Sequence, residues 1–295
     1  MKKFRKYSAE NAPKAWLYLL PALVVVAVFN IYPLIRAFTM SFHSGTMNNQ
    51  VFAGLKNYQF VLKDPKFHIA LKNTAVYAFG VVPASLVISI VIALLIFDKV
   101  KFKNFFETIF FIPYLTSTIA VGIVFRYLFN RDYGFINYVI QFFGGQSINF
   151  LNDMKMSLPT LIIFGIWSGL AFNIIIILAG LRNINEEFYK VADMFGATKW
   201  EQFRRITVPQ LIPTFTFLLT VNMISAFKVY SQVFALFGGT AGPAGSAQTA
   251  VYYIYDKFHV NQKFGPAMAA TIILFVLILV ITMIQNKLVE KVEDL

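Results

Sequence analysis

Six long runs of apolar residues cross the chain, at about 15–34, 69–97, 106–129, 157–181, 210–236 and 266–285, with the polar residues gathered between them. Each run is long enough to span a hydrocarbon core of ~30 Å, which takes about 20 helical residues. The runs are continuous rather than alternating, so they predict helices and not barrel strands. A helix also satisfies its own backbone in lipid. The pattern predicts an all-α membrane protein with six transmembrane helices and short external loops near 43–68, 130–156 and 237–264.

Composition supports lipid as the solvent. Hydrophobic residues make up 58% of the 295 and charged residues 14%, against about 25% charged in an ordinary soluble domain. One aqueous core cannot bury that much apolar surface. No Gly/Ser- or Pro-rich linker divides the chain, which predicts one membrane domain over 15–286, an N-terminal arm over 1–14 and a tail over 287–295. The absence of cysteine excludes disulfides, zinc–thiolate sites, iron–sulfur clusters and thiol catalysis.

The net charge of +12 would suggest nucleic acid in a soluble protein. Here the basic residues instead follow the positive-inside pattern. They gather in the N-terminal arm (Lys2, Lys3, Arg5, Lys6, Lys14), after the second run (Lys99, Lys101, Lys103), after the fourth (Arg182, Lys190, Lys199, Arg204, Arg205) and in the tail (Lys287, Lys291). Both termini are therefore expected in the cytoplasm and no nucleic-acid partner is expected. The first run lacks an A-x-A-like site, so it is expected to stay as an anchor rather than be cleaved.

Catalytic chemistry finds no footing. His43, His68 and His259 are too far apart along the chain to suggest a metal cluster, and no Ser/His/Asp or paired-carboxylate arrangement sits at membrane depth. No G-x-x-x-x-G-K-[ST] motif is present, so no phosphate-cradling loop is expected in this chain.

The cytoplasmic segment 183–209 has the most local structure. Asn183 with Glu186 and Thr198 with Glu201 fit capping boxes for two short helices, and Gly196 stands where the first should stop. Phe188, Ala192 and Phe195 share one face of the first helix. Phe203 and Ile206 share a face of the second, beside Trp200, with Arg204 in a basic rim. Ala192, Gly196 and Ala197 permit close backbone approach. Such an elbow either docks into a groove of a soluble partner or lies flat on lipid headgroups, and the residues alone leave both open.

The elbow resembles the coupling loop of the inner-membrane permease subunits of binding-protein-dependent ABC importers. Ala192, Gly196, Ala197, Phe203, Ile206 and Pro209 match that pattern, while Lys190 and Phe195 replace its usual acids. Gly54-Leu55-Lys56-Asn57-Tyr58, Asp64-Pro65-Lys66-Phe67, Leu71-Lys72-Asn73-Thr74, Phe111-Ile112-Pro113-Tyr114, Leu128-Phe129-Asn130, Tyr133-Gly134-Phe135-Ile136-Asn137-Tyr138 and Tyr252-Tyr253-Ile254-Tyr255 extend the likeness to the branch that imports multiple sugars, raffinose and maltose. The resemblance implies a type I ABC importer permease fold in a bacterial inner membrane. It also implies a second permease subunit, two ATPase subunits that carry ATP and Mg, and an extracellular sugar-binding protein. The ATPase-coupling residues would be Ala192, Gly196, Ala197, Trp200, Phe203, Arg204, Ile206 and Pro209.

Polar residues inside spans are costly in lipid and face a cavity or a neighbouring helix. The fourth run carries Trp167, Ser168 and Asn173, and the fifth carries Asn222, Ser225, Lys228, Tyr230, Ser231 and Gln232. For Asn173 and Ser225 a helix–helix hydrogen bond is expected. Given the resemblance, Trp167, Asn222, Lys228, Tyr230 and Gln232 are candidates for a sugar or oligosaccharide path, against the alternative of helix–helix bonding. Pro83 and Pro113 are expected to kink the second and third helices.

Three other classes fit less well. An ion-gradient-driven secondary transporter calls for internal repeats and intramembrane acids, whereas the 14 acids lie almost entirely in loops. A membrane enzyme lacks catalytic groups. The polar residues of the fifth run argue against a scaffold. The predicted topology is directly testable in this cysteine-free chain: a cysteine placed at Thr198 should resist an impermeant thiol reagent in intact cells and react after permeabilisation. Labelling in intact cells would invert the topology.

Overall fold

The structure, a computed structural model, describes residues 16–46, 49–99 and 103–293. The arm 1–14, Lys101 of the loop after the second run, and residues 294–295 lie outside them. Among the described residues five helices are long and apolar enough to cross a membrane, and a bent pair supplies a sixth crossing if its halves are counted as one. The chain divides into two compact units, residues 1–63 with 256–273 and residues 64–255 with 274–295.

The first unit contains α1 (Trp16–Ser41), a hairpin of β1 (His43–Thr46) and β2 (Asn49–Phe52), and α2 (Lys56–Lys63). α1 extends past the 15–34 expected and is exposed along its whole apolar window. It carries a π-turn over Ala27–Ile31, in which the Tyr32 N–H donates to the Ala27 carbonyl. Pro33 follows directly, and the wider turn keeps its ring clear of the preceding carbonyls. The hairpin departs from an all-helical loop. Its strands pair antiparallel, with His43 opposite Phe52 and Thr46 opposite Asn49. Buried Asn57 fixes it: Nδ2 donates to the Ser41 and His43 carbonyls at 2.8 and 2.9 Å, and Oδ1 accepts from Ser44 Oγ at 3.2 Å.

The second unit contains α3 (Pro65–Lys99), α4 (Lys103–Leu115), α5 (Thr118–Leu128), α6 (Phe135–Phe142), α7 (Ser157–Arg182), α8 (Glu186–Met194), α9 (Lys199–Phe227), α10 (Ser231–Leu236) and α11 (Ala250–Tyr255). The long helix α12 (Phe264–Glu293) belongs to it from Leu274 onward, and covers part of the expected 287–295 tail. α3 and α7 form the spine. Tyr77, Val81 and Val82 meet Leu161 and Phe164 in one buried cluster, while Ala93 and Ile96 meet Ile174, Ile177 and Leu178 in another. Small residues let the helices close, as lipid-embedded packing requires. A Cβ on Gly165 would stand 2.3 Å from the Tyr77 hydroxyl.

Two spans differ from expectation. The third is not one kinked helix: the pair Thr108–Leu115 and Thr118–Leu128 bends by 103°. Pro113 removes a donor from the ladder, and Ser117 (φ −56, ψ 127) is not helical, so the chain turns instead of continuing. Pro83, by contrast, sits inside uninterrupted α3. The fifth span begins at Lys199 and ends at Phe227, not at 210 and 236. Lys228 is its C-cap, Tyr230 leaves helical geometry (φ −142, ψ −55), and α10 starts afresh at Ser231. A second π-turn, Phe203–Thr207, precedes Pro209 and lets α9 run through it.

The segment after α9 is tied down by side chains of α3. Asn73 Nδ2 donates to the Ser246 and Gln248 carbonyls at 2.9 and 3.0 Å, and Thr74 Oγ1 accepts from the Ala250 N–H at 2.8 Å. Thr249 Oγ1 donates to the Val229 carbonyl, and the Tyr253 hydroxyl donates to Asp64 Oδ2. A Gly165→Val variant should force α3 and α7 apart at a cost of about 1–3 kcal/mol, as overpacking does. A lowered thermal midpoint in detergent checks this. An unchanged midpoint would mean that the two helices do not close at Tyr77.

Candidate functional site

Two regions of the second unit stand out, the elbow 183–209 and a cavity among the spans. In the elbow, α8 is capped by Asn185, whose side chain accepts from the Glu187 N–H at 2.9 Å. The expected cap, Asn183, instead closes α7. Glu201 accepts from the Thr198 N–H at 2.8 Å while Thr198 Oγ1 accepts from the Glu201 N–H, so the second capping box forms as expected. The helix it starts is not a short one: it is the first turn of α9. Gly196, at φ +73, ends α8. The Gly196 N–H reaches the Asp193 carbonyl and the Ala197 N–H reaches the Ala192 carbonyl, both at 3.0 Å, which is the double bond of a Schellman turn.

Side chains then lock α8 to α9. Asp193 Oδ1 accepts from Gln202 Nε2 and from Lys199 Nζ, the latter at 3.4 Å, and Gln202 Nε2 also reaches the Ala197 carbonyl. Donation from Gln202, seconded by Lys199, holds the Asp193 carboxyl below the usual carboxylate range. The ionised form therefore favours the joint, and that contribution fades as pH falls through the lowered value. The Tyr189 hydroxyl and Thr207 Oγ1, 2.9 Å apart, make a second tie.

What the elbow leaves uncovered is apolar. Met194 and Phe195 are each 86% exposed and Trp200 67%, with Phe188 and Val191 about half exposed. Trp200 packs at a tilt against partly buried Phe203, with ring centroids 5.5 Å apart. Of the other coupling candidates, Gly196, Arg204 and Pro209 are exposed, Ala192 and Ala197 are half-buried, and Ile206 packs against the core. Met194 was not among them. Its exposure depends on where the Schellman turn stops α8.

The cavity, about 240 Å³, lies between α3, α4, α7, α9 and α10. Tyr77, Tyr114 and Phe172 supply aromatic walls, and Ser85, Ser168, Asn222, Ser225 and Gln232 the polar ones. Tyr114 stacks on Phe172 with centroids 5.7 Å apart. Asn222 Nδ2 donates to Asn173 Oδ1 at 2.7 Å, and Asn173 Nδ2 donates to Ser85 Oγ at 3.3 Å. This relay fixes one wall and gives Asn173 the helix–helix bond expected of it. Ser225 faces the cavity rather than a helix partner.

Among the five path candidates, Asn222 and Gln232 line this cavity. Gln232 spends none of its amide groups on other described residues, so its donors and acceptor stay available. Trp167 packs on Phe125 at 4.9 Å. Tyr230 sits in a ring cluster with Tyr255 at 5.0 Å, Phe234 at 5.7 Å and Tyr252 at 6.0 Å. Lys228, expected within a span, is exposed at the end of α9. None of these three lines the cavity.

The profile of the family described as "Binding-protein-dependent transport system inner membrane component" matches residues 85–294. The chain belongs to this family. It is an inner-membrane transport component and not an enzyme. This permease is 33% identical over 284 residues to the arabinooligosaccharides transport system permease protein AraP of Bacillus subtilis (strain 168), covering 96% of this chain and 90% of that protein. It is 29% identical to the lactose transport system permease protein LacF of Rhizobium radiobacter, covering 92% of each. Its fold matches a chain of the bacterial alginate ABC transporter, solved in complex with alginate pentasaccharide-bound periplasmic protein, with a TM-score of 0.83 at 24% identity over 98% of this permease and 97% of that chain.

Gly196 provides a clean test of the elbow, because a Cβ there meets nothing within 4 Å and the cost of a side chain is purely that of its left-handed backbone. Gly196→Val should insert normally, strain the turn by on the order of 1 kcal/mol, and lower binding-protein-stimulated ATP hydrolysis and uptake together. Native values for both would remove the elbow from energy coupling.

Proposed function

We propose that this permease forms, with a second permease subunit, the path by which a sugar or oligosaccharide crosses the bacterial inner membrane, and that its 183–209 elbow docks on a separate ATPase. The observation that carries the proposal is the pairing of a hydroxyl- and amide-lined cavity with exposed Met194, Phe195 and Trp200 on a capped, cross-braced elbow. Apolar anchors of this kind fill pockets on a partner and dominate binding. A flat-lying lipid helix needs no Schellman turn or Asp193–Gln202 brace, so these features favour docking.

The cargo is assigned from the names of the similar permeases, which concern arabinooligosaccharides and lactose, and from the chemistry of the cavity wall. Sugars present a ring of hydroxyls and a weakly apolar face, which suit amides and hydroxyls opposite Tyr114 and Phe172. An external sugar-binding protein delivers the cargo, and ATP with Mg belongs to a pair of partner ATPase subunits. The exposed α1 supports a second permease or lipid as its cover. The positive-inside distribution of Lys and Arg supports an orientation with both termini, the arm 1–14, the tail 287–295 and the elbow in the cytoplasm.

Gln232→Ala tests the path, since its amide is not committed elsewhere. Loss of one hydrogen bond, about 1 kcal/mol, should lower uptake roughly five-fold while leaving the complex assembled and ATP hydrolysis responsive to the binding protein. Unchanged uptake kinetics for the transported sugar would take Gln232 out of the path.

A further inference from the structure

A second concavity of the same unit, about 330 Å³, is lined by Arg126, Asn130, Asn152, Phe237, Thr240 and Gly242, among others. It lies where the C-terminal end of α5 meets the turn before α7 and the loop after α10. No lining residue is acidic. Among the described residues the Arg126 guanidinium makes no hydrogen bond or ion pair, and it is exposed to the pocket's solvent. The loop is shaped around it: a Cβ on Gly238, at φ +62, would fall 2.3 Å from Arg126 Nη1. The carboxamide oxygen of Asn130 is already engaged by the N–H groups of Asp132 and Tyr133, at 2.9 and 3.4 Å, which leaves its NH₂ to face the pocket as a donor. The chemistry offered is an uncommitted guanidinium fork with amide donors beside it, and that fits a carboxylate.

The position selects the source of the carboxylate. The loop reaches the N-terminal end of α7, where a Cβ on Gly242 would lie 3.4 Å from the Ser157 Cβ. The elbow begins at the other end of α7, about 39 Å away along a 26-residue helix. The pocket therefore occupies the membrane face opposite the elbow. We propose that it receives an acidic side chain of the solute-binding protein when that protein docks. The inference rests on the proposed orientation, which puts this face outside. Binding-protein dependence is the defining property of the family, and the basic pocket gives such a partner a charge to complement.

The test uses the complete importer in nanodiscs, with ATP hydrolysis titrated against its cognate binding protein. Arg126→Glu should raise the half-saturating binding-protein concentration by about ten-fold or more, as charge reversal at a docking pair does, with the maximal rate retained. Gly238→Ala keeps the charge but occupies its seat, and should shift the titration in the same direction by less. A carboxylate-to-lysine reversal on the binding protein should restore docking to Arg126→Glu and not to wild type. Identical titrations for wild type and Arg126→Glu would overturn the proposal, as would unchanged docking with a weaker response to an acidic sugar. A wild-type complex that ignores the binding protein would instead overturn the proposed function, so the two failures are distinct.

Discussion

Lipid offers no hydrogen bonds, so every break in a membrane helix must find partners for its backbone inside the protein. In the second unit the chain leaves helical geometry around Ser117 and again over 228–230. Each break lies next to a residue of the polar cavity, Tyr114 in the first case and Gln232 in the second. Side chains meet the cost. Thr249 serves the Val229 carbonyl, Asn73 serves two carbonyls of the returning loop, and Thr74 takes the N–H that opens α11. Around the second break, four ordinary hydrogen bonds make the irregular backbone tolerable beside the cavity.

The two π-turns answer the same constraint in another way. Ala27–Ile31 precedes Pro33, and Phe203–Thr207 precedes Pro209. In each, the residue before proline reaches five residues back, Tyr32 to Ala27 and Val208 to Phe203, so the turn widens where the ring would otherwise strike a carbonyl. Proline then bends the ladder without cutting it. Pro113 has no such turn, and its helix stops two residues later.

The sequence was legible where one local rule decides the outcome. Continuous apolar runs placed the spans, Thr198 with Glu201 placed a helix start, and Gly196 placed a helix stop. Asn183 failed as a cap because Asn185 offers the same chemistry two residues on, and only packing chooses between them. Pro83 and Pro113 look alike in sequence, yet one lies in an unbroken helix and the other before a 103° bend. The end of α9 carries neither glycine nor proline, so nothing local announced it. That single omission misplaced Lys228 and Tyr230, because the break resets which side of the chain faces the cavity, and of the three only Gln232 does. The hairpin of residues 43–52 was missed because Asn57, a residue of the following helix, is what holds it.

Because α9 runs unbroken from Lys199 to Phe227, the elbow and the chamber share one rod. Trp200 near one end and Ser225 near the other are separated by about 38 Å of helix. Geometry then fixes the gearing: a tilt of about 5° moves one end against the other by about 3 Å, the breadth of a water molecule, at that helical rise. A shift of that size between the Trp200 and Ser225 ends is as wide as a hydroxyl-sized gap beside Asn222.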